Sequence, residues 1–367
     1  MVPEQGPVAA PAVATPGVKN SLVDLLVRGL APVNHPADCR EVWKSGLLAR
    51  VADGQVALAV DTLFDYHVKA GFFGVRTEGM RREHGVGPDK VDVQYAPNRD
   101  KVPLVEVNAH GSKECALCRP PMPEERGLSW RGYNVWPNAF PYLPESQQHV
   151  VITAARHVGQ SFSAAILGDM VDYQRAASRD QPVTMHYNGI AGNSQFHLHW
   201  HASRELLPLQ RMVDDGSLPL TRLHAGRGGH VDTYDRGFFT GILVTGDKGY
   251  VTRWAASIVS RLDGDPLTRG AYNLLLLHPR DGQVRLAVIP RRADNLKPEV
   301  GSFGKVGLGA FSLGGTIVVP RESVPPTFGQ DLCAAVDQTL VRPHQLPWLQ
   351  ELARAPSHPA LVARSAL

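Results

Sequence analysis

GNSQFHLHWHA, from Gly192 to Ala202, sets His197, His199 and His201 at every second position behind a small polar run. Period two is the pitch of a β-strand, whose alternate side chains share a face. On a strand the three imidazoles point one way and Leu198 and Trp200 the other. A helix would spread the same imidazoles over about 200° of arc and gather nothing. Three imidazoles in register behind Gly-Asn-Ser make a metal site, a catalytic site or both. The plainer reading is a solvated strand that happens to be rich in histidine.

The chain has 367 residues, of which 43% are hydrophobic and 20% charged. That length suits two domains or one large duplicated one, with ample core, and the composition is that of an ordinary globular protein. A net charge of +3 with no long Lys/Arg block argues against nucleic-acid binding and is compatible with small anionic substrates. No apolar run reaches the ~18 residues of a membrane span. The opening MVPEQGPVAAPAVATPG has neither the basic start nor the apolar stretch of a secretory signal, and residues 1–18 read as a disordered Pro/Ala tail. Cys39, Cys115, Cys118 and Cys333 are too few for a disulfide framework, so reduced thiols in the cytoplasm are expected.

Residues 19–90 read as a helical and extended N-terminal segment. Asn20–Leu30 has helical apolar spacing behind an Asn-Ser cap, and Arg40–Val51 is a second amphipathic stretch. Residues 55–63 suggest a strand or a short turn-bounded segment, and 76–113 an extended arm. Residues 91–212 form a denser lobe. RGYNVWPNAFPYL (Arg131–Leu143) and HVVITAARH (His149–His157) read as strands, Gln160–Arg175 as a helix, and VTMHYN as a strand before the Gly-rich loop. A weaker echo follows over 213–330: strand-like Gly237–Asp247, helix-like Thr252–Leu262 and a hairpin over Tyr272–Arg292 turning at Asp281-Gly282. Tyr272-Asn273 stands where Tyr187-Asn188 stood, and RLAVIP, without histidine, takes the place of HLHWHA. The reading is a duplicated, two-lobed α+β fold of antiparallel sheets with flanking helices, whose second copy has lost the chemistry. Residues 331–367 add a C-terminal helix and tail.

CALC (Cys115–Cys118) has three readings alone: half a zinc site, a redox pair, or two unrelated cysteines. The following Arg-Pro-Pro opens no helix of the kind a redox pair needs. Two thiolates need two further ligands to close a tetrahedron, with His149, His157 and one strand histidine as candidates. A set of Cys115, Cys118, His157 and His197 would be saturated and hence structural. His199 then carries the chemistry. Gly189–Ser194 precedes it, where glycines admit a close anion and successive N–H groups form a nest. A neutral imidazole attacks phosphorus well, and a backbone carbonyl holding its other nitrogen would fix the tautomer. His201 on the same side could bind a phosphoryl oxygen or protonate a leaving one.

Together, CxxC, NVWPNAFPYLPESQQHVVITAARH and NGIAGNSQFHLHWH resemble the histidine-triad superfamily. The likeness is to the branch of galactose-1-phosphate uridylyltransferase, diadenosine tetraphosphate phosphorylase and GDP-sugar phosphorylases, and VQYAPNRDK resembles a bacterial subgroup of it. The resemblance implies a nucleotidyltransferase or phosphorylase. His199 would be the histidine that becomes nucleotidylated, and Gly192, Asn193 and Ser194 the phosphate loop. Cys115, Cys118, His157 and His197 would hold a structural Zn2+. Asn138 and Phe140 would lie along the nucleoside, and Asn188 near the active histidine. The implied partners are a nucleotide or nucleotide-sugar substrate and phosphate or a sugar phosphate. No organic cofactor is implied, Mg2+ would travel with the nucleotide, and a homodimer is the common arrangement. At residue 201 the transferases of the branch usually have Gln and its hydrolytic relatives His, so His201 leaves water open as an acceptor.

Arg99 and Lys101 follow the extended VQYAPN segment and by position reach toward substrate phosphates. Arg291-Arg292 and Lys297 read as a solvated loop, with a second phosphate contact as the alternative. Two rival readings stand beside the transferase. One is a nucleotide-binding scaffold without turnover. The other is a zinc hydrolase with all three histidines on one metal.

Overall fold

The structure, a computed structural model, describes residues 48–69, 81–96, 126–138, 147–179, 181–190, 197–295, 299–300, 304–305, 308–319 and 324–354, with Leu117 and Leu143. In chain order the strands are β1 (Leu48–Arg50), β2 (Arg81–Val86), β3 (Asp89–Tyr95), β4 (Gly127–Trp130), β5 (Tyr133–Pro137), β6 (Val150–Ala154), β7 (Thr184–Asn188) and β8 (His199–Ser203). There follow β9 (Thr221–Gly226), β10 (Gly229–Arg236), β11 (Phe239–Gly246), β12 (Tyr272–Arg280), β13 (Gln283–Pro290), the short ribbon β14 (Glu299–Val300) and β15 (Gly304–Lys305), and β16 (Thr316–Val319). The helices are α1 (Val56–Lys69), α2 (Ala164–Ala177), α3 (Pro208–Asp214), α4 (Lys248–Gly264), α5 (Ala310–Leu313), α6 (Phe328–Thr339) and α7 (Trp348–Arg354).

The duplication is written in the strand order. One 11-stranded sheet runs β1-β4-β5-β6-β8-β7-β12-β13-β11-β10-β9. From either end past β1, each half is a three-strand meander, a crossover helix (α2 or α4) and a hairpin, in the same spatial order. The halves meet where β7 pairs antiparallel with β12, with Asn188 opposite Asn273 and Tyr187 opposite Leu274. Equivalent asparagines therefore face each other across a pseudo-two-fold axis, and Asn273 Nδ2 donates to Asn188 Oδ1 at 3.0 Å. The backbone N–H of Gly189 donates to the Tyr272 carbonyl there. A Cβ at Gly189 would collide with that oxygen, so the loop leaving β7 begins on a residue that has none.

Period-two patterning assigns the two faces of this sheet. Trp200, Tyr187, Leu274 and Leu276 pack with Val171, Trp254 and Ile258 of the helix layer α2 and α4. Leu275, Leu277, Ala287 and Ile289 pack under Val93, Ile317 and Phe328 on the other face. That second layer includes a small sheet in which β3 pairs antiparallel with β2 and parallel with β16. The hairpin of β12 and β13 turns at Asp281 (φ 51°) and Gly282 (φ 73°), the left-handed pair that a type I′ turn requires.

Three sequence readings change. Residues 56–63 belong to helix α1, with residue 55 in the 3-10 turn before it, because Val56, Ala59, Val60, Leu63 and Phe64 bury at helical spacing. Residues 81–95 of the expected extended arm form the β2–β3 hairpin, closed by a strand more than two hundred residues later. For the same reason a division at residue 90 cuts through β3, and one at 330 through α6. The second copy is also shifted by two residues. Asn273 pairs with Ile289, and continuing the His186–His201 register puts Asn188 opposite His199. Ile289 thus occupies the place of His199, and Arg291 that of His201. The helix expected at 20–30 lies outside the described residues. No helix among the described residues is long and apolar enough to cross a membrane.

Two buried histidines make the fold acid-sensitive. His67 donates from Nδ1 to the Leu63 carbonyl at 2.7 Å, and its Nε2 accepts from the Arg126 backbone N–H at 3.1 Å. Burial pushes its pKa down to about 4, as it does that of His278. In the unfolded chain both titrate near 6.5. Between those values the unfolded state holds more protons, so their stabilisation is complete above pH ~6.5 and is lost as pH falls toward ~4, by up to about 3 kcal/mol each. Urea midpoints measured across this window should fall with pH, and His67→Gln should flatten the slope. An equally steep profile in that variant would refute the assignment.

Candidate active site

The face of β6, β7 and β8 that looks away from the helix layer is lined with imidazoles. β8 supplies His199 and His201, β7 His186 and Asn188, and the residue before β6 supplies His149. His197 lies at a bend before β8, where Leu198 donates to the Val158 carbonyl at 2.8 Å and accepts from Ala154 N–H at 3.0 Å. His149, His186, His197 and His199 are all buried.

His199 donates from Nδ1 to the carbonyl of His197 at 2.7 Å. The proton is thereby placed on Nδ1 and the lone pair on Nε2. This is the backbone-fixed tautomer expected for a phosphorus nucleophile.

His201 lies edge-on to His199, with ring centres 5.3 Å apart. Its Nδ1 is 3.0 Å from Nε2 of His149, and Asn138 Nδ2 is 3.3 Å from Nδ1 and 3.4 Å from Nε2 of His149. An amide nitrogen only donates. The Asn138 amide lies about equally far from both nitrogens of His149, so it selects neither tautomer, and the proton between His149 Nε2 and His201 Nδ1 can sit on either ring. Asn138, implied by resemblance to line the nucleoside, places its amide beside His149.

His186 stacks flat on His201, with ring centres 4.6 Å apart at 5°, and Phe311 of α5 packs on it at 5.5 Å. Burial first, and the neighbouring His149 and His199 second, hold its pKa well below 6.5, so it is neutral. The nitrogens of His149, His186 and His201 lie within 4.8 Å of one another, which raises the question of a cation. A metal ion lies near the plane of each imidazole that binds it. Parallel rings share no such point, so this arrangement suits proton sharing and not joint ligation.

His157 and His197 behave differently. Their ring centres are 4.8 Å apart and their planes cross at 60°, so their lone pairs can converge. His197 donates from Nε2 to the Ala154 carbonyl at 2.9 Å, which assigns its lone pair to Nδ1. These two residues fit half of a tetrahedral zinc set. Cys115 and Cys118, the other half, lie outside the described residues, as do Gly192, Asn193, Ser194, Phe140, Arg99, Lys101 and Lys297. If zinc is held there, His157→Ala should drop its content from about one per chain to near zero and lower the melting temperature. Unchanged metal content in that variant would remove the site.

Arg291 is not a solvated loop residue. It is fully buried and bonds the side-chain oxygen of Asn273 at 3.2 Å and the Leu308 carbonyl at 2.6 Å. Asn188, besides Asn273, accepts the Ala310 N–H at 2.7 Å. The second copy thus braces the floor of the first. His186 was missed from sequence, and His149 was considered only as a candidate metal ligand and not as a partner of His201. The usable signal was alternation, because His186 and Asn188 share a face of a strand already recognised.

No protein-family model matches the chain, and no curated protein matches it in sequence. Among solved structures, yeast Ap4A phosphorylase Apa2 superposes with a TM-score of 0.52 at 16% identity, over 77% of this chain and 93% of that one. The same yeast enzyme in complex with Ap4A gives 0.51 at 16% identity, over 76% of this chain and 95% of that one. At this identity the likeness is one of fold: the α+β architecture expected from the histidine-triad resemblance is the one the chain adopts.

Proposed function

We propose that this chain is a nucleotidyltransferase working through a covalent nucleotidyl-His199. Its substrate class is a nucleoside diphosphate derivative, either a nucleotide sugar or a dinucleoside polyphosphate. Nε2 of His199 attacks the α-phosphorus. The P–N bond forms as the bond to the leaving oxygen breaks, and that oxygen takes the Nε2 proton of a doubly protonated His201, which is left neutral with its other proton on Nδ1, facing Nε2 of His149. Phosphate or a sugar 1-phosphate then attacks the same phosphorus, and the P–N electron pair returns to Nε2. Two in-line displacements give overall retention at phosphorus.

The observation that carries this reading is the 2.7 Å bond from His199 Nδ1 to the carbonyl of His197, which prepares Nε2 as the attacking atom. The shared fold with Ap4A phosphorylase supports a dinucleoside polyphosphate. In this reading Gly192, Asn193, Ser194 and Arg99 meet the phosphates, while Asn188 and Phe140 complete the pocket. Zinc on Cys115, Cys118, His157 and His197 would be saturated by protein ligands, and its role structural: it would clamp the CxxC segment beside the nucleophile's strand. Magnesium would accompany the nucleotide.

A second acceptor, water, is favoured by one observation, the His149–His201 bond, which equips residue 201 to trade protons. The test is to mix the protein with α-labelled nucleotide substrates. Acid-labile label should stay on denatured protein and be discharged by phosphate as nucleoside diphosphate. Turnover without any labelled protein would sink the proposal, and label that only water discharges would make the chain a hydrolase.

A further inference from the structure

β7 and β8 pair regularly from Thr184–Ser203 to His186–His201. Two residues on, level with Asn188 and His199, a side chain takes over from the ladder. Gln160, buried just before α2, accepts the backbone N–H of His199 on Oε1 at 3.0 Å. Its Nε2 donates to the carbonyl of His199 at 3.1 Å and to that of Asn188 at 2.8 Å. The carboxamide uses one acceptor and both donors on three main-chain groups.

We infer that Gln160 is a positioning residue for His199: its carboxamide stands in for the neighbouring strand and sets the distance between β7 and β8 at the nucleophile. This rests on the reading of His199 given above. Leu198, one residue earlier, turns its own N–H and carbonyl toward the β6 side, so Gln160 grips His199 from the β7 side. Without it the two strands could zip together at this level, and Nε2 would shift relative to the loop that opens after Asn188. A misplacement of ~1 Å in a reacting group costs about 100-fold in rate. The chemistry demanded is narrow. Glutamate would set oxygen against two carbonyls, methionine offers no hydrogen bond, and asparagine is one methylene short.

The test compares wild type with Gln160→Met and Gln160→Glu. For Gln160→Met the rate constant of adduct formation should fall about 30- to 300-fold, with nucleotide affinity within about threefold. The Nδ1–H resonance of His199 in histidine-labelled protein should shift or be lost to exchange. A folded variant with wild-type adduct rate and an unmoved resonance overturns the inference. If Gln160→Met does not fold, Gln160→Glu decides. Its carboxyl, protonated near pH ~5, regains a donor and an acceptor, so its rate relative to wild type should rise as pH falls, and a flat ratio overturns the inference. If wild type forms no adduct, the proposed function fails, and the resonance alone then judges Gln160.

Discussion

Replacing His199 by alanine should lower turnover by at least about 10⁴-fold and leave no label on the protein. The size follows from what is lost. The variant keeps every main-chain contact of the residue, because Gln160 bonds its N–H and carbonyl and not its ring. It also keeps the core on the opposite face, where Trp200 packs against Tyr187 with ring centres 5.1 Å apart. The protein should therefore fold, bind nucleotide and do nothing with it. His201 is poorly placed to substitute, since its Nδ1 is tied to His149 and its ring face is covered by His186. The measurements are turnover, nucleotide affinity and acid-labile label on the same preparation. Label surviving in His199→Ala would move the nucleophile elsewhere and undo the mechanism.

The parts of the fold that were legible in sequence are those with local periodicity. The alternation of HLHWHA, the helices around 164–177 and 248–264 and the Asp281-Gly282 turn all show in short windows. Duplication was readable through Tyr187-Asn188 and Tyr272-Asn273, and it is those asparagines that pair on the pseudo-two-fold axis. The two-residue shift that sets Ile289 against His199 was not readable, since only strand register fixes it. Nor was the small sheet, because β16 joins β3 in parallel across a separation that no window spans. At the site, the imidazoles with a common spacing were found, His149 was singled out only as a candidate metal ligand, and His186, brought in by the neighbouring strand, was not found. Gln160 carries no signal at all in sequence. Its role exists only because two strands stop pairing where it enters. Arg291 misled in the opposite way, since a dibasic pair reads as surface although this guanidinium is buried, with Asn273 and the Leu308 carbonyl among its partners.

In His201→Gln, release of the nucleotide to water should fall by about 100- to 1,000-fold, while transfer to phosphate stays within about tenfold. The two acceptors differ in one proton. Phosphate arrives as an anion with a nucleophilic oxygen and needs no base. Water must shed a proton as it attacks. His201, having protonated the leaving oxygen in the first step, is left neutral, with its remaining proton on Nδ1 toward His149 and a lone pair on Nε2. It can take the proton from water and so regenerate the acid for the next cycle. Glutamine can donate a hydrogen bond to a phosphoryl oxygen but can neither release nor receive a proton. A good leaving group, such as a nucleoside polyphosphate, needs little help from an acid, so adduct formation should survive the change. The partition of α-label between nucleoside monophosphate and nucleoside diphosphate, followed at several phosphate concentrations, reads the two routes separately. Equal losses in both would mean that His201 serves only the first step, and the imidazole pair would then have no part in choosing the acceptor.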